Sequence, residues 1–161
     1  MKVRELMTRE ADSCGLDTSL AAAAKLMGQL RRGFLPVVGE GGNVVGVITD
    51  RDICVALGTR SEKASEVLVR EVVLPKDRTY AKLYTCTPDD KIHCVLKTMR
   101  EAKIRRLPVV NAEGELQGIL SIDDLVLQAC EHAGKEGISC AEVVETYQAI
   151  CRPRVGHPVA A

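Results

Sequence analysis

Two short motifs hold the side chains of this sequence that could do chemistry. Thr49-Asp50-Arg51-Asp52 and Ser121-Ile122-Asp123-Asp124 each place a hydroxyl residue three positions before an aspartate. A hydroxyl group at the start of a helix can donate to a phosphate oxygen, and helix N-termini bind phosphate readily. An aspartate one turn later can accept from both hydroxyls of a ribose, as acidic residues do in dinucleotide sites. The motifs therefore predict a phosphate and ribose site twice in the chain.

The same spacing also has a purely structural interpretation. Ser/Thr-x-x-Asp is an N-capping pattern, in which the hydroxyl and the carboxylate satisfy unpaired N–H groups at a helix start. Taken singly, each motif favours a helix cap. Because both motifs follow a predicted strand and precede a predicted helix, their repetition shifts the balance toward a binding role.

An internal repeat positions the two motifs. Residues 35–52 correspond to residues 107–124 at a constant spacing of 72 positions. Each copy reads Leu-Pro-Val-Val, a glycine-containing turn, an apolar strand and then the motif. A repeat defines the unit of folding, and half of this chain forms only a marginal core by itself. We therefore expect two small units that gain by packing together.

Each repeat is predicted to run helix, strand, strand, helix. In the first repeat, Asp17 or Ser19 is predicted to cap a helix from Leu20 to about Leu30, and Gly33 breaks this helix. Two strands follow, at 35–38 and 44–48. A second helix then runs from Asp52 to about Leu57 and is closed by Gly58. In the second, Asp89 caps a helix containing residues 92–102, strands follow at 107–110 and 116–120, and a helix runs from Ser121 through 125–129. An extra strand is expected near residues 85–87. A Ser139-x-x-Glu142 capping box opens a last helix that Pro153 ends.

This arrangement resembles the CBS (cystathionine β-synthase) domain, and two such domains in tandem resemble a Bateman module. The resemblance covers roughly residues 1–130. It implies a mixed α+β fold of two βαββα repeats, packed through their sheets around a pseudo-two-fold axis, with the C-terminal helix added. We place the first repeat at residues 1–60, the second at 61–131 and a C-terminal extension with a flexible tail at 132–161.

The resemblance also implies ligand-contacting residues. Thr49 and Ser121 match the family's phosphate-contacting hydroxyls, and Asp52 and Asp124 match its ribose-binding acids. Residues at and before each Leu-Pro line the same clefts between the repeats; they are Gly33, Phe34, Pro36, Arg105, Arg106 and Pro108. The implied ligand is an adenine nucleotide or related adenosyl compound, such as AMP, ADP, ATP, NAD or S-adenosylmethionine.

The two clefts are not expected to bind equally. Arg105 and Arg106 precede the second Leu-Pro, where a cation favours phosphate, whereas Gly33 and Phe34 occupy these positions in the first repeat. Two solvated arginines are the alternative interpretation. Asp123 could repel a phosphate or face solvent.

The second repeat also contains eleven further residues between Val73 and Thr85. They are predicted to form a polar loop, which is either functional or a tolerated insertion.

The amino-acid composition disfavours several classes of protein function. Lys plus Arg and Asp plus Glu both number 22, and the chain contains no Trp and one Phe. The chain as a whole therefore has no basic footprint, which leaves only a local basic patch open, and the stacking residues of nucleic-acid binders are scarce, so nucleic-acid binding is not expected. The sequence shows no signal peptide or apolar run of membrane-spanning length. Seven cysteines without a Cys-x-x-Cys or a structural zinc spacing fit a reduced cytoplasmic protein.

We accordingly expect a regulatory sensor that binds an adenosyl ligand and modulates a protein partner. We expect no catalytic activity and no catalytic cofactor, because His93, His132 and His157 do not form a nucleophile–base set. Two alternatives remain: a ligand-free structural or dimerisation module, and a redox-linked regulator that uses the seven cysteines. The resemblance implies a homodimer under either of the first two interpretations.

Overall fold

The structure, a computed structural model, describes residues 1–74, 82–131 and 137–153. It divides into two compact units. Unit 1 comprises Met1–Met7, Pro88–Leu107 and the chain from Leu120 onward, and unit 2 comprises Thr8–Thr87 and Pro108–Ile119. The predicted repeat boundaries at residues 60 and 131 stay a prediction.

Residues 108–119 contribute strand segments to unit 2, and its other seven elements lie between Thr8 and Val73. They are β1 (Thr8–Arg9), β2 (Cys14–Gly15), α1 (Leu20–Leu30), β3 (Phe34–Val38), β4 (Val44–Thr49), α2 (Asp50–Thr59) and α3 (Val69–Val73). In one three-stranded sheet, β3 is the central strand, parallel to β2 and antiparallel to β4. This pairing brings the last residue of β4, Thr49, opposite Phe34.

The remaining elements carry the second repeat. After a 3₁₀ turn at Val3–Glu5 near the start of the chain, they are α4 (Ile92–Ala102), β5 (Arg106–Val110), β6 (Leu116–Ser121), α5 (Ile122–Glu131) and α6 (Cys140–Cys151). A second sheet has the strand order β1-β6-β5. The predicted mixed α+β class is confirmed. Four pairs of elements, α1/α4, β3/β5, β4/β6 and α2/α5, have bounds that differ by 72 at both ends.

The core is aliphatic, as a chain with one Phe and no Trp requires. Unit 2 buries one apolar cluster, whose largest members include Leu20, Leu35 and Ile48. Unit 1 buries the apolar side of α4 and α5, including Leu96, Met99 and Leu125. Burial in the unit 2 cluster raises the pKa of the Cys14 thiol to about 11, because the charged thiolate is poorly solvated there.

Some local predictions are wrong for identifiable reasons. Asp89 does not cap α4: the N-cap residue is Lys91, without a side-chain bond, while the Asp89 carboxylate binds Lys2 at 2.7 Å and Arg4 at 2.8 Å. These two cations hold the pKa of Asp89 below its usual range. Gly58 does not close α2, which continues to Thr59; a Cβ added at Gly58 meets no atom within 4 Å, so an exposed glycine is tolerated there.

Other predictions hold with small changes. Ser19 caps α1, accepting from the Ala22 N–H at 3.2 Å, whereas Asp17 pairs with Arg70. The extra strand near residue 86 is a single parallel bridge between Cys86 and Val109. The short helix α3 has no sequence counterpart in our prediction. Most of the predicted loop after Leu74, the segment at 132–136 and the tail from 154 lie outside the described residues.

Candidate functional site

The first motif forms a reciprocal cap at the junction of β4 and α2. The Thr49 hydroxyl accepts from the Asp52 N–H at 3.2 Å, and the Asp52 carboxylate accepts from the Thr49 N–H at 3.0 Å. The Thr49 hydroxyl also donates to the same carboxylate at 2.7 Å. Both side chains are half-buried, so the hydroxyl and the acid are held together at the start of the helix.

The second motif repeats this geometry at the junction of β6 and α5. The Ser121 hydroxyl accepts from the Asp124 N–H at 3.2 Å and donates to the Asp124 carboxylate at 2.6 Å. The same carboxylate also accepts from the Ser121 N–H at 2.8 Å. Every bond of the first motif thus recurs 72 positions later. The structure brings each hydroxyl together with its aspartate, and the capping interpretation is realised in both motifs.

A backbone hydrogen bond ties each motif to the residue that precedes its Leu-Pro strand. The Asp50 N–H donates to the Gly33 carbonyl at 3.2 Å, and the Ile122 N–H donates to the Arg105 carbonyl at 2.8 Å. A Cβ at residue 33 would come too close to the Asp50 carboxylate in its present position, so a larger residue there would require this exposed side chain to move. Gly33 and Arg105 therefore lie beside the start of the following helix.

The other predicted lining residues are placed by the strands. Phe34 begins β3 and pairs with Thr49, and Pro36, two residues later, pairs with Val47. Both side chains are buried. Pro108 is also buried, and its carbonyl accepts from the Cys86 N–H at 3.1 Å. Pro36 and Pro108 lie within paired strands.

The two arginines of the second repeat face different partners within unit 1. The Arg106 guanidinium binds the Asp123 carboxylate at 3.2 Å, so the acid inside the motif neutralises the cation beside it. The Arg105 guanidinium lies 5.4 Å from the centroid of the Tyr147 ring on α6, in a cation–π arrangement. Arg105 therefore links the second motif to the C-terminal helix, a contact that the sequence pattern did not reveal.

Sequence reasoning also missed a groove on the helical side of unit 2. It has a volume of about 500 Å³ and lies between the C-terminal half of α1 and the start of α2. Its lining is Ala24, Met27, Gly28, Arg31, Arg32, Gly33, Asp50, Ile53 and Cys54, of which Gly33 was predicted as a lining residue. Gly28 and Gly33, small residues at the end of a helix, are the sequence signal that could have indicated it.

The described ranges contain neither a candidate metal site nor a candidate membrane-spanning helix. Among these residues no three His, Cys, Asp or Glu side chains come together in a way that could hold a metal ion. None of the helices there combines the length and apolarity needed to span a bilayer. The described histidine, His93 on α4, contacts Glu142 on α6 at 2.8 Å.

A model of the CBS domain family matches residues 3–59 and 65–129. Hypoxic response protein 1 of Mycobacterium tuberculosis is 29% identical over 155 residues, which are 93% of this chain and 94% of that protein. Homoserine O-acetyltransferase of Methanococcoides burtonii is 31% identical over 123 residues, 76% of this chain but 23% of that protein. The 5'-AMP-activated protein kinase subunit gamma of Saccharomyces cerevisiae is 25% identical over 71% of this chain and 35% of that protein. The chain thus spans about a quarter to a third of these two longer relatives.

Several solved structures have a fold similar to that of this chain. A putative acetoin utilization protein, AcuB, from Vibrio cholerae has a TM-score of 0.70 and 27% identity, covering 81% of this chain and 91% of that one. CBSX2 in complex with AMP has a TM-score of 0.67 and 25% identity, with 81% and 96% covered. Hypoxic Response Protein I, solved with two coordinated zinc ions, has a TM-score of 0.69 and 25% identity, with 83% and 100% covered.

Proposed function

The chain belongs to the CBS domain family, and we propose that it is a regulatory sensor that binds an adenine nucleotide of the AMP type at its two hydroxyl-x-x-Asp motifs. The observation that carries the proposal is the recurrence of one hydrogen-bonded arrangement at Thr49/Asp52 and at Ser121/Asp124. Each pair offers a hydroxyl for a phosphate oxygen and a carboxylate for ribose hydroxyls, at a helix N-terminus where the backbone dipoles favour an anion.

Relatives support the ligand class. CBSX2, at 25% identity, was solved in complex with AMP. The yeast relative is a subunit of a kinase that is named for activation by 5'-AMP. The longer relative from Methanococcoides is named as an enzyme, but this chain matches less than a quarter of it. We therefore propose regulation rather than catalysis, with a ligand that changes the chain's affinity for a protein partner because it prefers one conformation.

The second motif is proposed to bind at least as well as the first. Its hydroxyl and carboxylate make the same bonds as those of the first motif, so the difference lies in the charged side chains beside it. Arg106 supplies a cation beside it, although Asp123 competes for that cation. A cytoplasmic location and a homodimer remain part of the proposal.

A ligand-free structural module is the second candidate, and a specific observation favours it. In both motifs the hydroxyl and the carboxylate already bind each other, which completes a helix cap without any ligand. The redox-linked regulator has weaker support. Cys14 is buried with a raised pKa, whereas Cys54, Cys94, Cys140 and Cys151 are exposed and free.

Thermal unfolding with AMP, ADP, ATP, NAD and S-adenosylmethionine distinguishes the two main candidates. A ligand at a hundred times its dissociation constant stabilises the native state by about 2.7 kcal/mol. We expect at least one ligand to raise the melting temperature, with the shift lost in Asp124→Ala and reduced less in Asp52→Ala. Unchanged melting temperatures with every ligand at millimolar concentration would favour the structural module.

A further inference from the structure

Arg105 connects the second motif to the C-terminal end of α6. Its backbone carbonyl accepts from the Ile122 N–H at 2.8 Å, so Arg105 lies one hydrogen bond from the residue that follows Ser121. Its guanidinium lies 5.4 Å from the centroid of the Tyr147 ring and 4.0 Å from the Cys151 sulfur. One residue therefore joins the start of α5 to the last turns of α6.

The two halves of α6 are held in different ways. In the N-terminal half, the Ser139 hydroxyl accepts from the Glu142 N–H at 3.1 Å, and Val143 and Thr146 are buried. From residue 147 to residue 151 every side chain is exposed or only half-buried. A segment with few buried contacts opens locally at a low cost in free energy. The C-terminal end of α6 can therefore loosen while the N-terminal half stays packed on α4 and α5.

Two side chains from the turn after α4 hold this end of α6. The Lys103 ammonium donates to the backbone carbonyls of Arg152 and Pro153, at 3.0 Å each. Arg105, two residues later, makes the contacts with the Tyr147 ring and the Cys151 sulfur. These contacts lie at the surface, where a cation–π contact contributes little to stability. The end of α6 is thus held weakly, by the same turn that leads into the second Leu-Pro strand.

A phosphate at Ser121 would compete with Tyr147 for the Arg105 guanidinium. Arg106 is already paired with Asp123 at 3.2 Å, so it reaches a phosphate only by sharing or losing that ion pair. Within the described ranges the Arg105 guanidinium has no carboxylate partner, and it gives up only the ring and the sulfur. A charge-assisted hydrogen bond to phosphate is stronger than an exposed cation–π contact. Arg105 is therefore a cation that a phosphate can recruit.

The first motif has no such connection. Gly33 occupies the position equivalent to Arg105, and its carbonyl accepts from the Asp50 N–H at 3.2 Å. The backbone bond therefore recurs in both repeats, whereas glycine has no side chain that could reach a neighbouring helix. The connection to α6 is a feature of the second motif.

We infer that a nucleotide phosphate bound at the second motif draws the Arg105 guanidinium away from Tyr147 and loosens the C-terminal end of α6, over residues 147–151. The inference rests on the proposed function and names the element that transmits binding to a protein partner. Arg105 contacts Tyr147 in the free chain and the phosphate in the bound chain. Because coupling between two equilibria is reciprocal, weakening the contact with Tyr147 should strengthen nucleotide binding at the second motif.

Hydrogen exchange of the full chain, followed by mass spectrometry, tests the contact with Tyr147. Without nucleotide, Tyr147→Leu should raise the exchange rates of amides 147–151 about two- to fivefold, the equivalent of an exposed cation–π contact. Tyr147→Phe keeps the ring and should exchange as the wild type does. Tyr147 is 39% exposed, so both variants should fold, and their melting temperatures check this. Saturating AMP should raise the same exchange rates in the wild type, and much less in Tyr147→Leu.

Calorimetric titration with AMP tests the reciprocal effect. An Asp52→Asn background leaves the second motif intact and confines the measurement to it. There Tyr147→Leu should bind AMP about two- to fivefold more tightly, by the same contact free energy, and Tyr147→Phe should bind as the background does. Arg105→Gln should bind AMP more weakly, and AMP should no longer change its exchange at residues 147–151. A merely structural contact would loosen α6 in both variants without moving the two affinities in opposite directions.

The outcomes separate this inference from the proposed function. A wild type that does not bind AMP would contradict the proposed function and the inference with it. AMP binding that leaves exchange at residues 147–151 unchanged, or slows it, would overturn the inference alone. An AMP affinity that Tyr147→Leu leaves unchanged or lowers would also overturn it, as would equal effects of Tyr147→Leu and Tyr147→Phe.

Discussion

The guanidinium of Arg106 lies 3.2 Å from the carboxylate of Asp123, so the second motif contains the counter-ion of its own cation. The first repeat has Phe34 and Arg51 at the equivalent positions and cannot form this pair. A phosphate that approaches Ser121 must therefore share Arg106 with Asp123. The pair makes the two motifs electrostatically different although their hydroxyl–carboxylate geometry is the same.

Removing the acid should strengthen nucleotide binding at the second motif. Asp123→Asn eliminates a negative charge near the proposed phosphate position and releases Arg106. Because the pair is solvent-exposed, we expect a gain of about 0.2–1 kcal/mol, which is up to roughly fivefold in the affinity for AMP. Isothermal titration calorimetry at low salt measures it. Glu113→Gln, which removes an exposed carboxylate from a turn, should leave the affinity unchanged, and an equal or weaker affinity in Asp123→Asn would contradict the electrostatic account.

The cap at Thr49 should be measurable without any ligand. Thr49→Val keeps the shape of the side chain but removes the hydroxyl that bonds the Asp52 N–H and carboxylate. We expect a loss of about 1 kcal/mol in the free energy of unfolding, seen as a fall in melting temperature of about 2–4 °C. Thr49→Ser retains the hydroxyl and should lose much less. Equal losses in the two variants would show that the hydroxyl does not act as the cap.

The ion pairs of Asp89 with Lys2 and Arg4 should make a small, pH-dependent contribution to stability. The pKa of Asp89 is lowered in the folded chain, so the contribution is present above the ordinary aspartate pKa and disappears as the pH falls through the folded value. Urea unfolding of wild type and Asp89→Asn should therefore differ slightly at pH 7 and converge toward pH 3. A difference that grows on acidification would contradict this assignment.

Burial should protect Cys14 from alkylation. With a pKa of about 11, its thiolate fraction at pH 8 is small, and access to the buried sulfur adds to the protection. Mass spectrometry after iodoacetamide treatment should show Cys14 reacting on the order of a hundredfold more slowly than exposed Cys54. Unfolding in urea should remove the difference. Comparable rates in the native protein would show that Cys14 is accessible.

The repeat made most of the fold predictable. The Leu-Pro strands repeat at a spacing of 72 positions in the sequence. In the structure the bounds of four pairs of elements differ by the same 72 positions; these pairs are α1/α4, β3/β5, β4/β6 and α2/α5. Apolar periodicity and turn residues are local signals, and they located these elements to within a few residues. The reciprocal bonds of Thr49 with Asp52 and of Ser121 with Asp124 follow from the same local spacing.

The remaining features depend on contacts between residues far apart in sequence. Asp89 resembles a helix cap locally, but Lys2 and Arg4, more than eighty positions away, bind its carboxylate instead. Arg105 and Arg106 were adjacent cations in the sequence, yet one stacks on Tyr147 and the other pairs with Asp123. Sequence spacing does not predict these partners, because tertiary packing determines which charged side chains come into contact.

The central claim is that the two hydroxyl-x-x-Asp motifs bind an adenine nucleotide. Its most direct test is isothermal titration calorimetry of AMP with wild type, Asp52→Asn and Asp124→Asn, using variants whose melting temperatures confirm that they fold. We predict saturable binding by the wild type, with the number of sites or the affinity reduced in each variant and the larger reduction in Asp124→Asn. Absence of saturable binding, or binding that neither variant changes, would contradict the claim.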